Sequence, residues 1–350
     1  MQNKTYIIGE IGQNHNGSVD IAKSIIDLSS KVIKEDIFGY KLNGLDAVKL
    51  TKRDLKQELS ESHMAKAYNS PNSFGKTYGE HREFLELSNE EHFEIYNYAK
   101  AKNLDFIETL CSIGCLSILE FFLPDKLKVA SRDLTNSPLI EALADTKIPI
   151  ILSTGMSGQR ELDSALNIIT KSHSNISILH CVSQYPTNPK NVNLKTIHFL
   201  KKNYPSYQIG YSDHTIGISS AVAAVALGAE IIEKHISLDR TMKGTDQAGS
   251  LGPDGVHRMV RDIRILDMSL GEEIMFIVDD TKSVKNKLER SIASNKYLPE
   301  GHLIKLSDLH LLSPGNGFKW SELDQVVGKK ILVDLPKNEI IYEKFINLNK

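Results

Sequence analysis

The sequence has only three cysteines, Cys111, Cys115 and Cys181, and one tryptophan in 350 residues. So sparse and odd a cysteine count excludes a disulfide framework and suits a reducing compartment. Cys111 and Cys115 are spaced C-x3-C without a second pair, so they read as ordinary thiols rather than zinc ligands. An excess of one charge is also missing. The 42 Lys and Arg are balanced by 44 Asp and Glu, a formal net charge of −2. This excludes the basic footprint of a nucleic-acid binder. An anionic substrate must then be met by a local cluster of cations or helix N-termini. No apolar run is long enough to span a membrane. The nearest, 216–229, is short, rich in Ala and Gly, and reads as a packed helix. The first ten residues lack the apolar core of a secretory leader. A cytoplasmic protein without nucleic-acid or membrane partners is expected.

What is present is an alternation. Short apolar runs at 6–9, 47–50, 105–109, 126–130, 149–153, 177–181, 208–211 and 230–235 read as strands. Amphipathic stretches at 19–33, 89–101, 158–170, 194–202, 216–227 and 253–270 lie between or after them. Eight βα repeats in about 270 residues is the size of a (β/α)8 TIM barrel. A doubly wound open sheet is the alternative that periodicity leaves open. Residues 51–86 are long and polar for a βα connection, which marks a lid or binding loop.

The pattern changes near Met275. The expected division is a barrel over 1–275, a charged linker over 276–288 and a small β-rich domain over 289–350. In the last, runs at 291–293, 302–304, 309–312 and 331–333 are separated by turn signals at 299–301 and 313–317. At about 60 residues it is marginal unless it packs on something.

Barrel enzymes place their chemistry at the C-terminal ends of the strands, so polar residues there are the candidates. The first strand ends in Glu10, followed by Ile11-Gly12-Gln13-Asn14-His15-Asn16-Gly17. The end of that run reads as a turn and N-cap, but a Glu is seldom held at a buried strand end without a role. Lys49 and Lys128 lie inside apolar runs, where a lysine is costly unless paired. Each alone reads equally as snorkelling outward; two in equivalent places, facing one cavity, would bind an anion. Thr109 and Ser153-Thr154-Gly155-Met156 offer hydroxyls and backbone N–H groups suited to phosphate. His180 is either a satisfied core histidine or a site residue. The sharpest pair is His214 and His235, which close the seventh and eighth runs and are neighbours in a barrel. Two histidines with water and substrate oxygens make an open site for a divalent metal. Glu233 and Asp213 are the candidate partners orienting them. The loop 243–254 holds Asp246 and either binds phosphate or turns the chain.

Glu10-Ile11-Gly12-Gln13-Asn14-His15, Ser153-Thr154-Gly155-Met156, Tyr211-Ser212-Asp213-His214-Thr215 and Glu233-Lys234-His235 resemble the sialic acid synthase family. The resemblance covers nearly the whole chain. The small C-terminal domain resembles that family's antifreeze-like (SAF) domain. Gly75-Lys76-Thr77-Tyr78-Gly79-Glu80-His81 and Lys243-Gly244-Thr245-Asp246 look closer to the animal type, known for a 6-phosphorylated sugar. The resemblance implies condensation of phosphoenolpyruvate with an amino-sugar aldehyde: N-acetylmannosamine, its 6-phosphate, or a diacetamido-trideoxyhexose. It implies Mn2+ or Mg2+ on His214 and His235. Phosphoenolpyruvate falls to Lys49, Thr109, Lys128, Ser131, Ser153 and Ser183, and the sugar to Glu10, Tyr78, His81, Tyr185 and Asp246. Glu10, Asp133, Glu233 and both histidines match catalytic positions. It also implies a homodimer whose small domain caps the partner's barrel. Thr51 departs from the family's Gln, and Ser313 from the Arg of bacterial relatives. The stretch 33–45 is longer than the family usually has. A pyruvate-using metal aldolase, which releases no phosphate, and a non-catalytic binding protein are the rival classes. The paired lysines argue against the first, and the intact polar set argues against the second.

Overall fold

The computed structural model describes residues 5–34 and 38–347. Eight parallel strands close a barrel: β1 (Tyr6–Gly12), β2 (Ala47–Lys52), β3 (Asp105–Leu110), β4 (Lys126–Val129), β5 (Ile150–Ser153), β6 (Ile176–Cys181), β7 (Gln208–Asp213) and β8 (Ile231–His235). β1 pairs with both β2 and β8, which excludes the open sheet. All eight expected runs are strands, with ends within a few residues, because each carries apolar residues that are buried in the barrel.

The helices form where amphipathic periods and caps coincide. α1 (Val19–Ser29) starts at Ser18, whose side chain accepts from Ile21 N–H. α2 (Tyr78–Leu85) and α3 (Asn89–Ala101) both begin with capping boxes, Thr77 with Glu80 and Ser88 with Glu91. α4 (Ser137–Asp145), α5 (Gln159–Ile169), α6 (Thr196–Asn203), α7 (Ser219–Ala226) and α8 (Pro253–Ser269) complete the outer layer. After β3 the connection is a 3-10 segment, Ile113–Glu120. Arg264 of α8 ties the seam where the ring closes. It donates to Thr5 O, Gly44 O and, at 2.6 Å, to Asp46 Oδ2.

The barrel interior is layered. Ile8, Ala47, Ile107, Ile151, Leu179 and Ile231 form one buried apolar cluster, one residue from each of six strands. Side chains two residues further along a strand point the same way, one layer higher. Those positions are Glu10, Lys49, Thr109, Ser153, Cys181 and Glu233. A dry plug therefore floors a polar layer at the C-terminal end.

Residues 51–86 hold two single-turn helices, Leu55–Glu58 and Glu61–Met64, before α2. Aromatic and histidine rings anchor the segment, not aliphatic side chains. Phe74 stacks on Phe84 and His81, with centroids 4.5 and 5.9 Å away, and His81 lies 4.8 Å from Tyr68. The long 33–45 stretch opens with a hairpin pairing Ile33–Lys34 with Lys41–Leu42.

The chain folds as two compact units, 1–271 and 272–350. In the second, Ser291–Ser294 pairs antiparallel with Leu309–Leu312 over a core of Ile292, Leu298, Ile304, Val326 and Ile341. The runs 302–304 and 331–333 enter only as single bridges, Leu303 to Lys330 and Ile331 to Ile346. The segment read as a linker contains one short exposed helix, Lys282–Leu288.

Candidate active site at the C-terminal face of the barrel

The polar layer opens into a cavity of about 460 Å³. A chamber of about 110 Å³ shares Tyr185, His214, His235, Thr245 and Asp246 with it. Together they fall in the size range of small-molecule sites.

Four charges form the floor. Lys49 Nζ touches Glu10, donates to Thr109 Oγ1 at 3.1 Å and lies 3.8 Å from Glu233 Oε2. Lys128 Nζ lies 3.0 Å from Glu233 Oε1, which also accepts from Ser212 Oγ at 2.9 Å. All four are at least 95% buried. Both lysines thus point inward and are paired, so the snorkelling reading fails. Burial pushes the Glu10 carboxyl up to about 7, against the pull of Lys49. Burial also opposes ionisation of Glu233, but Lys128 and Lys49 outweigh it and hold that carboxyl down at about 2. Two carboxylates on one floor are thereby split, one near neutrality and one firmly ionised.

Hydroxyls line the β4–β6 side. Ser153 Oγ is buried without a hydrogen-bond partner. Ser131 Oγ accepts from Gly155 N–H at 3.0 Å. A Cβ on Gly155 would stand 2.4 Å from Ser183 Oγ and 2.8 Å from Cys181 Sγ and Ser131 Oγ, so only glycine fits among them.

His214 and His235 have ring centroids 5.5 Å apart, with Tyr185 packed at 4.1 Å from His214. His214 Nδ1 sits 3.0 Å from Val182 O, which sets that nitrogen as the donor and leaves Nε2 free. Burial holds His235 below its ordinary value, and its Nδ1 has no hydrogen-bond partner. Two imidazoles with free nitrogens fit a divalent ion that keeps open positions. Among the described residues no third His, Cys, Asp or Glu completes a cluster with them. The expected orienting partners are corrected. Glu233 belongs to the lysines. Asp213 pairs with Lys234 at 2.8 Å and accepts from Tyr211 Oη. The carbonyl of Val182 serves His214 instead. His180 is a core histidine: its Nε2 meets Val192 O at 2.7 Å and its ring stacks on Tyr211.

A sequence model described as the NeuB family matches residues 40–275, and one described as the SAF domain matches 289–347. The chain belongs to the NeuB family. This NeuB-family chain is 32% identical over 347 residues to N-acetylneuraminate-9-phosphate synthase from Homo sapiens, covering 99% of this chain and 94% of that protein. It is 31% identical over 348 residues to N,N'-diacetyllegionaminic acid synthase from Campylobacter jejuni, covering 97% and 99%. A solved N-acetylneuraminic acid (sialic acid) synthetase from Leptospira borgpetersenii, in complex with citrate, superposes with a TM-score of 0.66 at 32% identity, covering 81% of this chain and 90% of that one. As a NeuB-family member the chain is a carbon–carbon bond-forming transferase.

Of the expected site residues, the NeuB barrel gathers Glu10, Lys49, Thr109, Lys128, Ser131, Ser153, Ser183, Tyr185, His214, Glu233, His235 and Asp246 around one cavity. Three expected residues do not line it. Asp133 sits behind, accepting from Arg132 Nε at 3.2 Å. His81 is buried in the ring cluster, and Tyr78 turns its hydroxyl to Arg82. Sequence reasoning missed Arg53, Arg82, Arg132, Cys181 and Ser212, all in the lining, which also takes Gln13 from the polar run after Glu10. Cys181 and Ser212 were findable, because each stands two residues beyond an inward-facing strand position.

Proposed function

We propose that this chain condenses phosphoenolpyruvate with N-acetylmannosamine or its 6-phosphate, releasing phosphate and forming a nine-carbon N-acetylneuraminate-type acid. The observation that carries the reading is the floor. Lys49 and Lys128 lie within one buried layer, together with the orphaned hydroxyl of Ser153. That is a seat for a small dianion or trianion such as phosphoenolpyruvate. The lysines face its carboxylate and phosphate, and Ser131, Ser153 and Ser183 add neutral donors.

C3 of phosphoenolpyruvate bonds to the aldehyde carbon, whose oxygen gains a proton. Water adds at C2, the bond from C2 to the bridging oxygen breaks, and phosphate leaves. Glu10, with its carboxyl pushed up to about 7, is the floor group suited to give and take a proton at neutral pH. Tyr185, Gln13 and Asp246 ring the open side, where sugar hydroxyls and the amide would be held. A divalent metal, Mn2+ or Mg2+, would sit on His214 and His235 and supply Lewis-acid polarisation of the aldehyde.

We also place the protein in the cytoplasm as a homodimer, with the small domain capping the partner's barrel. Supporting this are three buried free thiols and the consecutive exposed apolar side chains of Ile274, Met275, Phe276, Ile277 and Val278. No described helix is long and apolar enough to cross a membrane.

The test is phosphate release from phosphoenolpyruvate with Mn2+, comparing N-acetylmannosamine, its 6-phosphate and a 2,4-diacetamido-trideoxyhexose, with EDTA as control. Release with a mannosamine sugar supports the proposal. Release with the trideoxyhexose alone moves the chain to the legionaminic type, and release with none sinks it.

A further inference from the structure

Lys234 and Asp213 form an ion pair at 2.8 Å, with side chains 1% and 0% exposed. They face each other on the last rung between β8 and β7. Each stands one residue before a histidine of the pair described above, Asp213 before His214 and Lys234 before His235. Side chains alternate along a strand, so this pair points away from Glu233 and Ser212, toward the helical layer. Among the described residues that wall the two cavities, Asp213 borders the smaller one and Lys234 borders neither. The chemistry proposed above makes no use of this lysine.

Stability alone does not account for such a pair. Taking two charges out of water costs about what their attraction returns, and apolar side chains of similar volume often serve as well or better. The best-attested use of a buried charge pair is to fix one arrangement of the chain among alternatives. The hydrogen bonds show which arrangement is fixed here. Asp213 Oδ1 accepts from Thr215 N–H at 2.8 Å and from Tyr211 Oη at 3.1 Å. Lys234 Nζ donates to Asp213 Oδ2 and also to Thr215 O. The residues before and after His214 are thus both held from β8 by one ammonium.

The two rings have little else to orient them. A metal-binding imidazole is commonly fixed by a hydrogen bond at its second nitrogen. His214 has the carbonyl of Val182, just past β6, and His235 Nδ1 has no partner. The spacing of the rings, 5.5 Å between centroids, therefore rests on the main chain at the rung that Asp213 and Lys234 close.

We propose that Lys234 is a positioning residue for the metal seat: by holding the Asp213 carboxylate and the Thr215 carbonyl together, it fixes the turn that presents His214 beside His235. This rests on the reading of the two histidines as a divalent-metal seat.

The experiment is Mn2+ binding to the full chain, read from the electron paramagnetic resonance signal of free Mn2+. The wild type is compared with Lys234→Met and Lys234→Met/Asp213→Asn, and each protein is also melted. His235→Ala should abolish the binding, which ties it to the histidines. Losing a group that orients a metal ligand costs roughly 10- to 100-fold in metal affinity. We expect Lys234→Met to weaken Mn2+ binding by that factor and to melt well below the wild type, because Asp213 is left buried and unpaired. The double variant, with neither charge, should regain most of the melting temperature. Its Mn2+ binding should stay weak, because Thr215 O still lacks its donor. A pair that served stability alone would recover both together. Mn2+ binding by the double variant within about threefold of wild type, against the loss expected of an orienting group, overturns the proposal. So does a double variant no more stable than Lys234→Met, binding that survives His235→Ala, or a wild type that binds no Mn2+. A wild type that binds Mn2+ at these histidines yet joins phosphoenolpyruvate to no sugar would sink the synthase reading and leave this one standing.

Discussion

Replacing Lys128 by Met separates what the buried floor contributes to stability from what it contributes to chemistry. Lys128 and Glu233 have side chains only 4% and 6% exposed and stand 3.0 Å apart. Removing the cation leaves Glu233 with Ser212 and a more remote Lys49 at 3.8 Å. Breaking a buried pair in this way costs on the order of 3–5 kcal/mol. The carboxyl itself gives a second measure. Its depression from 4.5 to about 2 corresponds to about 3 kcal/mol, shared among its partners. The lower end is therefore expected, because Lys49 remains. For a barrel of this size, about 3 kcal/mol lowers the melting temperature by roughly 6–12 °C. The sign with pH follows. Glu233 is depressed, so its contribution is present above about pH 4.5 and is lost as pH falls toward 2. The double variant Lys128→Met/Glu233→Gln removes both charges and should recover most of the melting temperature. Turnover should not recover. Phosphoenolpyruvate loses a charge-assisted contact in both variants, at a cost of roughly 10- to 100-fold in kcat/KM. The assays are thermal melting and phosphate release. A Lys128→Met protein with unchanged kcat/KM for phosphoenolpyruvate would refute the assignment. A double variant no more stable than the single one would refute the electrostatic account.

Substituting His235 by Ala should abolish metal-dependent turnover with a melting shift of only a few degrees, since its Nδ1 makes no hydrogen bond; a large stability loss with metal-stimulated activity retained would assign it to the core. Glu10 carries its proton below about pH 7 and loses it above, so turnover should fall along an alkaline limb near that pH. Glu10→Gln, which cannot ionise, should be slow and lack the limb; a pH–rate profile that keeps it contradicts the role. Gly155→Ala forces a methyl group against Ser131, Cys181 and Ser183; overpacking of this kind costs about 1–3 kcal/mol, and turnover should fall with it, as melting and phosphate release would show.

Fold and floor were legible because they rest on one-dimensional patterns. Buried strands such as Ile150–Ser153 and Ile176–Cys181 read as apolar runs, and polar residues at their ends then stand out. The rim was less legible. Arg82 reaches the cavity only because α2 is pinned by ring contacts among Tyr68, Phe74, His81 and Phe84, a cluster that no period of two or 3.6 reveals. The capping box Thr77–Glu80 and the i, i+4 spacing of Tyr78 and Arg82 were the available signals. Tyr78 and His81 were expected at the sugar, but Tyr78 holds the Arg82 side chain that faces the cavity and His81 packs in the ring cluster. The orienting partner of His214 is a backbone carbonyl, which carries no side-chain signature at all.

The central claim is that this floor joins phosphoenolpyruvate to a sugar with C–O cleavage. Its most direct test is phosphoenolpyruvate carrying 18O in the bridging oxygen, incubated with the protein, Mn2+ and N-acetylmannosamine or its 6-phosphate, with both products read by mass spectrometry. The account predicts a nine-carbon keto acid and released phosphate that carries the label. Label left in the organic product, or pyruvate in place of a nine-carbon acid, would contradict it.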